Sequence, residues 1–141
     1  VSASEFAYRL GAAARSRASW WQLLKFGLVG GSGYLVNLVV FSLLRSDLEI
    51  HQALAAVGSF CVAVTSNFVW NRYWTFAAAD GHAGFQAVRF FAVSVGALAI
   101  NLAALEALVH GTSLGDLTAQ AIAVALAMPF NFLGNKLWTF A

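Results

Sequence analysis

A chain of 141 residues that is 60% hydrophobic, only 10% charged and of net charge +2 cannot cover a soluble core; soluble domains carry about 25% charged residues. With a mean hydropathy of +0.73, the class indicated is an integral membrane protein. The single cysteine, Cys61, excludes an intrachain disulfide and reads as a buried bystander in an apolar run, while His51, His82 and His110 lie near predicted helix ends without metal-ligand spacing.

The first element is the segment 1–21, VSASEFAYRLGAAARSRASWW. It is too polar to span, and either a helix on an anionic lipid surface or a disordered tail accounts for it. Residues 22–141 then hold four apolar stretches of the length a membrane helix needs, about 20 residues. They run Phe26 to Leu44, Ala53 to Trp70, Phe90 to Val109 and Leu117 to Leu137. None alternates in the way a barrel strand would.

The connections differ in character. LRSDLEIH (44–51) and HGTSLGD (110–116) are short and carry Asp47, Glu49 and Asp116. Of the eight Lys and Arg, only Arg45 lies on their side; the other seven flank the opposite ends of the spans. Basic residues favour the cytoplasmic side, so both termini and the 71–89 loop are expected there. Trp20, Trp21, Trp70, Trp74 and Trp138 sit at the same boundary, as interfacial anchors do.

NFVWNRYWTF (67–76) returns as NFLGNKLWTF (131–140). Asn67, Asn71, Arg72, Trp74, Thr75 and Phe76 reappear 64 residues later as Asn131, Asn135, Lys136, Trp138, Thr139 and Phe140. The same offset relates Lys25-Phe26 to Arg89-Phe90 and Asn37 to Asn101. The fold expected is all-α: an integral membrane four-helix bundle made of two tandem helical hairpins, about 25–76 and 89–140. Each hairpin crosses twice, so the two repeats enter from one side and are parallel rather than inverted.

The repetition marks the candidate site. Lys25, Arg72, Arg89 and Lys136 lie at helix ends on the expected cytoplasmic face. Each alone would be a topology marker with a snorkelling side chain; four at matched positions are either such markers or a seat for a phosphate or diphosphate head group. Asn67 and Asn71 share a helix face, as do Asn131 and Asn135. Asn37 lies about 18 Å along its helix from Lys25, well inside the hydrocarbon, and Asn101 matches it. Unpaired amides there are costly, so these asparagines serve either as interhelical glue or as a polar path for a sugar or phosphate.

Gly27, Gly30, Gly31 and Gly33 suit close helix approach or a slot for a lipid chain, and Pro129 is expected to kink the last span. Glu106 has no repeat partner and reads as a snorkelling residue near the far boundary. No nucleophile–base pair, metal cluster or nucleotide loop appears. No enzyme activity, cofactor, metal or nucleic-acid partner is therefore expected.

These elements, KFGLVGGSGYLVN (25–37), NFVWNRYWTF, RFFAVSVGALAIN (89–101) and NFLGNKLWTF, resemble the GtrA-like family of small four-span bacterial membrane proteins. The resemblance covers about residues 22–141 and leaves out the N-terminal 20. It implies residence in the bacterial cytoplasmic membrane and a role in cell-envelope glycosylation. The implied activity is flipping of a polyprenyl-phosphate-linked monosaccharide, or return of the bare carrier. The alternative is a non-transporting anchor that recruits a membrane glycosyltransferase. On this view the phosphate docks on Lys25, Arg72, Arg89 and Lys136, and the sugar passes Asn37, Asn67, Asn101 and Asn131. A homodimer would thicken the wall around so large a head group. Proton-coupled export ranks below both readings, because the only carboxylate within the spans is Glu106.

Overall fold

The computed structural model describes residues 2–141, and among them there is no strand. Five helices follow one another: α1 (Ala3–Arg15), α2 (Arg17–Ser42), α3 (Gln52–Trp70), α4 (Ala83–Gly111) and α5 (Asp116–Gly134). Three of them continue without a break into one wider π-helical turn, at Leu43–Asp47, Asn71–Thr75 and Asn135–Thr139. With those turns included, four helices are long and apolar enough to cross a membrane. The shortest are 24 residues, about 36 Å at 1.5 Å per residue, against a hydrocarbon core of about 30 Å.

The chain divides into two compact units, one ending at Ala77 and the other running Ala78–Ala141. Each is a helical hairpin. In the first, α2 packs along α3. The packed face of α3 repeats every four residues: Ala55, Ser59, Ala63, Asn71 and Thr75 are buried, and Asn67 is half-buried. Small side chains at this spacing let two helices approach in a medium that offers no hydrophobic drive between them. From α2 come Phe26, Val29 and Gly33. Gly33 is required by contact, because a methyl group there would overlap the side-chain amide of Asn67. Gly30 and Gly31, by contrast, have nothing within 4 Å of such a methyl, so close approach holds for Gly33 and not for them.

The second hairpin, α4 against α5, buries Ala119, Ala123, Ala127, Asn135 and Thr139 on one helix and Phe90, Val93 and Ala97 on the other. Each of these lies 64 residues beyond a member of the packed faces of the first hairpin. Gly134 is a second close approach, since a methyl there would stand 2.9 Å from Val93.

The ends are set by identifiable groups. Ser2 and Ser16 cap α1 and α2 by accepting from the amides of Glu5 and Ser19 at 3.2 and 3.4 Å. His51 and His82 do the same through Nδ1, for Ala53 and Phe85; these two histidines are helix caps. Arg45, the one cation among the acidic connections, donates from Nη1 to Ile50 O at 2.8 Å and ties down that turn.

Two expectations need correction. Residues 1–21 are not one segment: Ala3–Arg15 is a helix, and α2 already begins at Arg17, nine residues ahead of the apolar run. Its first turns are polar, but Ser16 caps them and nothing from there on breaks a helix. Cys61 is exposed, not buried. It lies two residues from Ser59, about 200° round the helix, and so opposite the packed face. Pro129 lies inside α5, which is a single helix from Asp116 to Gly134.

Candidate functional site

In each hairpin the antiparallel helices bring the start of one span beside the end of the other. In the first, Lys25 on α2 meets the π turn that closes α3. Its Nζ lies 5.8 Å from the ring of Trp21 and 5.3 Å from that of Trp74, a cation held between two indole faces. Trp74 is edge-on to Trp70 at 6.5 Å, and Phe26 is edge-on to Phe76 at 6.2 Å. Arg72 donates from Nη1 to Tyr73 Oη at 2.8 Å. Beside Trp74 an open groove of about 340 Å³ is lined by Leu28, Val29, Ser32, Trp70 and Trp74.

The second hairpin has the counterpart arrangement. The Arg89 guanidinium stands 5.6 Å from the Trp138 ring and donates to Trp138 O at 3.2 Å. Lys136 Nζ is 5.7 Å from the Phe132 ring, and Phe90 meets Phe140 at 6.1 Å. The four cations therefore divide two and two, Lys25 and Arg72 on one hairpin and Arg89 and Lys136 on the other, each set at the end where the closing π turn lies.

Each of the two π turns at these ends also carries a buried polar couple. Asn71 and Thr75 are 2% and 3% exposed, and Asn135 and Thr139 are 0% and 1%. Each couple opens and closes a π turn, whose bond runs from the amide of Phe76 to Asn71 O and from that of Phe140 to Asn135 O, both 2.9 Å. Asn135 Nδ2 donates to Asn131 O at 2.9 Å and to Asn131 Oδ1 at 3.0 Å. The side-chain oxygens of Asn67, Asn71, Thr75, Asn101, Asn135 and Thr139 are buried without a hydrogen-bond partner. Buried polar groups are nearly always partnered, and π turns recur at functional sites. Asn37 is half-buried, deeper along α2.

Several polar residues here escaped the sequence reading. Thr75 and Thr139 belong to the repeated motif but gave no sign of burial. Gln86 is buried and donates from Nε2 to Ala78 O at 3.0 Å. Its counterpart is Gln22, 64 residues earlier, so carrying the offset three residues upstream of Lys25 would have found both. Gln120, with a buried unpartnered oxygen, has no such counterpart: position 56 is alanine. At the other end of α4, Glu106 pairs with His110 at 3.0 Å, both well exposed. Among the described residues no three His, Cys, Asp or Glu side chains come together as a metal site.

The sequence profile of the family described as GtrA/DPMS, transmembrane domain, matches residues 25–140. The chain belongs to the GtrA/DPMS transmembrane-domain family. An uncharacterized membrane protein of Bacillus subtilis (strain 168), YngA, is 31% identical to it over 116 residues, 82% of this chain and 77% of that protein. The GtrA/DPMS match starts at Lys25 and ends at Phe140, so it takes in every cation and asparagine of the candidate site and leaves α1 outside.

Proposed function

We propose that the chain is a flippase for a polyprenyl-phosphate-linked monosaccharide, or for the bare carrier phosphate, in the cytoplasmic membrane of a bacterium. Membership of the GtrA/DPMS family is consistent with sugar-lipid translocation in general. The observation that carries the finer reading is the end of each hairpin where the closing π turn lies: two cations packed on aromatic rings and, on that turn, a buried Asn–Thr couple with unpartnered oxygens.

The chemistry suits an amphiphile with a phosphate neck. In each hairpin its two cations, Lys25 and Arg72 or Arg89 and Lys136, supply charge-assisted donors for a phosphate. The asparagine and threonine oxygens supply acceptors for sugar hydroxyls. The apolar groove beside Trp74 borders the lipid and accepts part of a chain without withdrawing it from the membrane. Away from the span ends, Glu106 is the one carboxylate in the spans, and it is paired with His110. Movement is therefore passive, drawn by consumption of the sugar on the outer side, and the chain itself performs no covalent step.

A second reading, a non-transporting anchor for a membrane glycosyltransferase, has one observation in its favour: the matching family is described as a transmembrane domain shared between GtrA and DPMS. Purified protein in liposomes with a labelled polyprenyl-phosphate sugar decides between them. Protein-dependent loss of label from the inner leaflet supports flipping. Binding of the lipid with no transfer across the bilayer supports the anchor.

A further inference from the structure

We propose that α1 is an in-plane anchor on an anionic lipid surface, with its apolar side in the acyl boundary and Arg9, Arg15 and Arg17 against lipid phosphates. The inference is independent of the flippase reading, and α1 lies outside the family match.

Three sets of observations carry it. First, the helix is two-sided. At about 100° per residue, Ala3, Phe6, Ala7, Leu10, Ala13 and Ala14 fall on one side, while Glu5, Tyr8 and Ala12 fall on the other. Arg9 stands at one margin of the apolar side. Arg15 folds back along the other, its Nε donating to Gly11 O at 3.1 Å. None of the helix is fully buried: Leu10 and Ala13 are half-buried, and Phe6 is 50% exposed. The part of the apolar side left open needs a covering medium.

Second, the break between α1 and α2 is built rather than loose. Ser16 is the only residue between them, in extended conformation with φ −86° and ψ 125°. Its amide donates to Ala13 O at 3.3 Å while its hydroxyl caps α2. Trp20 Nε1 then reaches back to Ala14 O at 3.0 Å. Because α2 continues into a membrane span, a helix joined to it through one bonded residue is held near the membrane surface. The exposed Trp20 and Trp21 mark that level.

Third, the charge has one sign. Three arginines, Arg9, Arg15 and Arg17, stand against one glutamate, Glu5. A basic residue near an anionic leaflet contributes about fivefold to surface partitioning, so three contribute on the order of a hundredfold. The apolar side alone is short, with one aromatic and one leucine, so the attachment depends on that charge.

The test uses the full chain in a Cys61→Ala background, with a nitroxide label at Ala7→Cys on the apolar side or at Ala12→Cys opposite. The protein is reconstituted in vesicles of phosphatidylcholine with phosphatidylglycerol, or of phosphatidylcholine alone. Collision with oxygen reports lipid, and collision with a water-soluble nickel complex reports water. The expected result in anionic vesicles is a label at 7 that favours oxygen and a label at 12 that favours nickel, with accessibility ratios several-fold apart. Combining Arg9→Gln, Arg15→Gln and Arg17→Gln, or omitting phosphatidylglycerol, should bring the label at 7 into water. Equal water exposure at both positions in anionic vesicles would overturn the proposal. So would a label at 7 shielded from both reagents, which would mean that protein covers the face, or lipid contact that persists without the arginines.

Discussion

Replacing Thr75 or Thr139 by valine should stabilise the protein and impair its activity at the same time. Both hydroxyls are almost fully buried, 3% and 1% exposed by residue, and their oxygens have no hydrogen-bond partner. A buried polar group left unmade costs about 1–3 kcal/mol, and valine removes it with little change of volume. Thr and Val also rank together in helix propensity, so the backbone term nearly cancels. Each substitution should therefore raise stability by about 1 kcal/mol or more, read as an upward shift of a few degrees in the melting temperature in detergent. Thr65 supplies the control. It is exposed, and its Oγ1 donates to Cys61 O at 2.8 Å, so Thr65→Val should be neutral or slightly destabilising.

Flipping of the sugar-lipid in liposomes is the second readout. If the threonine hydroxyls receive substrate groups, Thr75→Val and Thr139→Val should lower it severalfold although the protein melts higher. The opposite signs separate a binding role from a packing role, because packing damage lowers both. A fall in melting temperature in both variants would refute the reasoning: the hydroxyls would then be bonded in the folded protein.

Four further outcomes are expected. Gly33→Ala should cost about 1–3 kcal/mol by displacing the Asn67 amide, whereas Gly30→Ala, with nothing within 4 Å of the new methyl, should be neutral or stabilising; parallel thermal melts check the contrast. Arg72→Ala and Arg89→Ala should each weaken polyprenyl-phosphate binding tenfold or more, since a hydrogen bond to a charged group contributes about 1.5–3 kcal/mol; binding by the double variant as tight as by the parent would reduce these cations to topology markers. Asn37→Leu and Asn101→Leu should lower flipping by more than their loss of stability explains, with about 0.6–2 kcal/mol the share due to lost interhelical bonds; activity that simply tracks melting temperature leaves only glue. If both termini are cytoplasmic, as the cation bias predicts, a single cysteine at position 113 in a Cys61→Ala background should label from outside intact cells and one at position 80 should not; the reverse pattern would invert the topology.

Much of the fold was legible because lipid imposes a coarse requirement, about 20 apolar residues per span, and the sequence meets it four times. Which side of each helix packs is a finer matter. Lipid tails and a packed interface are equally apolar, so hydrophobic periodicity fades inside a span, and Cys61 gave no sign of facing outward. The informative signal was size. Ala55, Ser59 and Ala63, with Ala119, Ala123 and Ala127, mark the packed faces by being small every fourth residue. Reading that stripe onward leads through Asn67 to Asn71 and Thr75, and through Asn131 to Asn135 and Thr139.

The cations were legible for a different reason: charge at a helix end is conspicuous in so apolar a chain, and its return after 64 residues singled out Lys25, Arg72, Arg89 and Lys136. What could not be read was the backbone between them. A π turn has no residue preference of its own comparable to glycine in a tight turn, so the pattern N-x-x-x-T looks like one more α-helical step. In the structure the wider turn lets Asn71 and Thr75 stay on the buried side while Arg72 and Trp74 lie toward the surface. The repeated motif is therefore two interleaved sets, one for the interior and one for the membrane boundary. That separation puts unpartnered oxygens and a cation on one π turn, and it accounts for the motif being ten residues long rather than a bare cation.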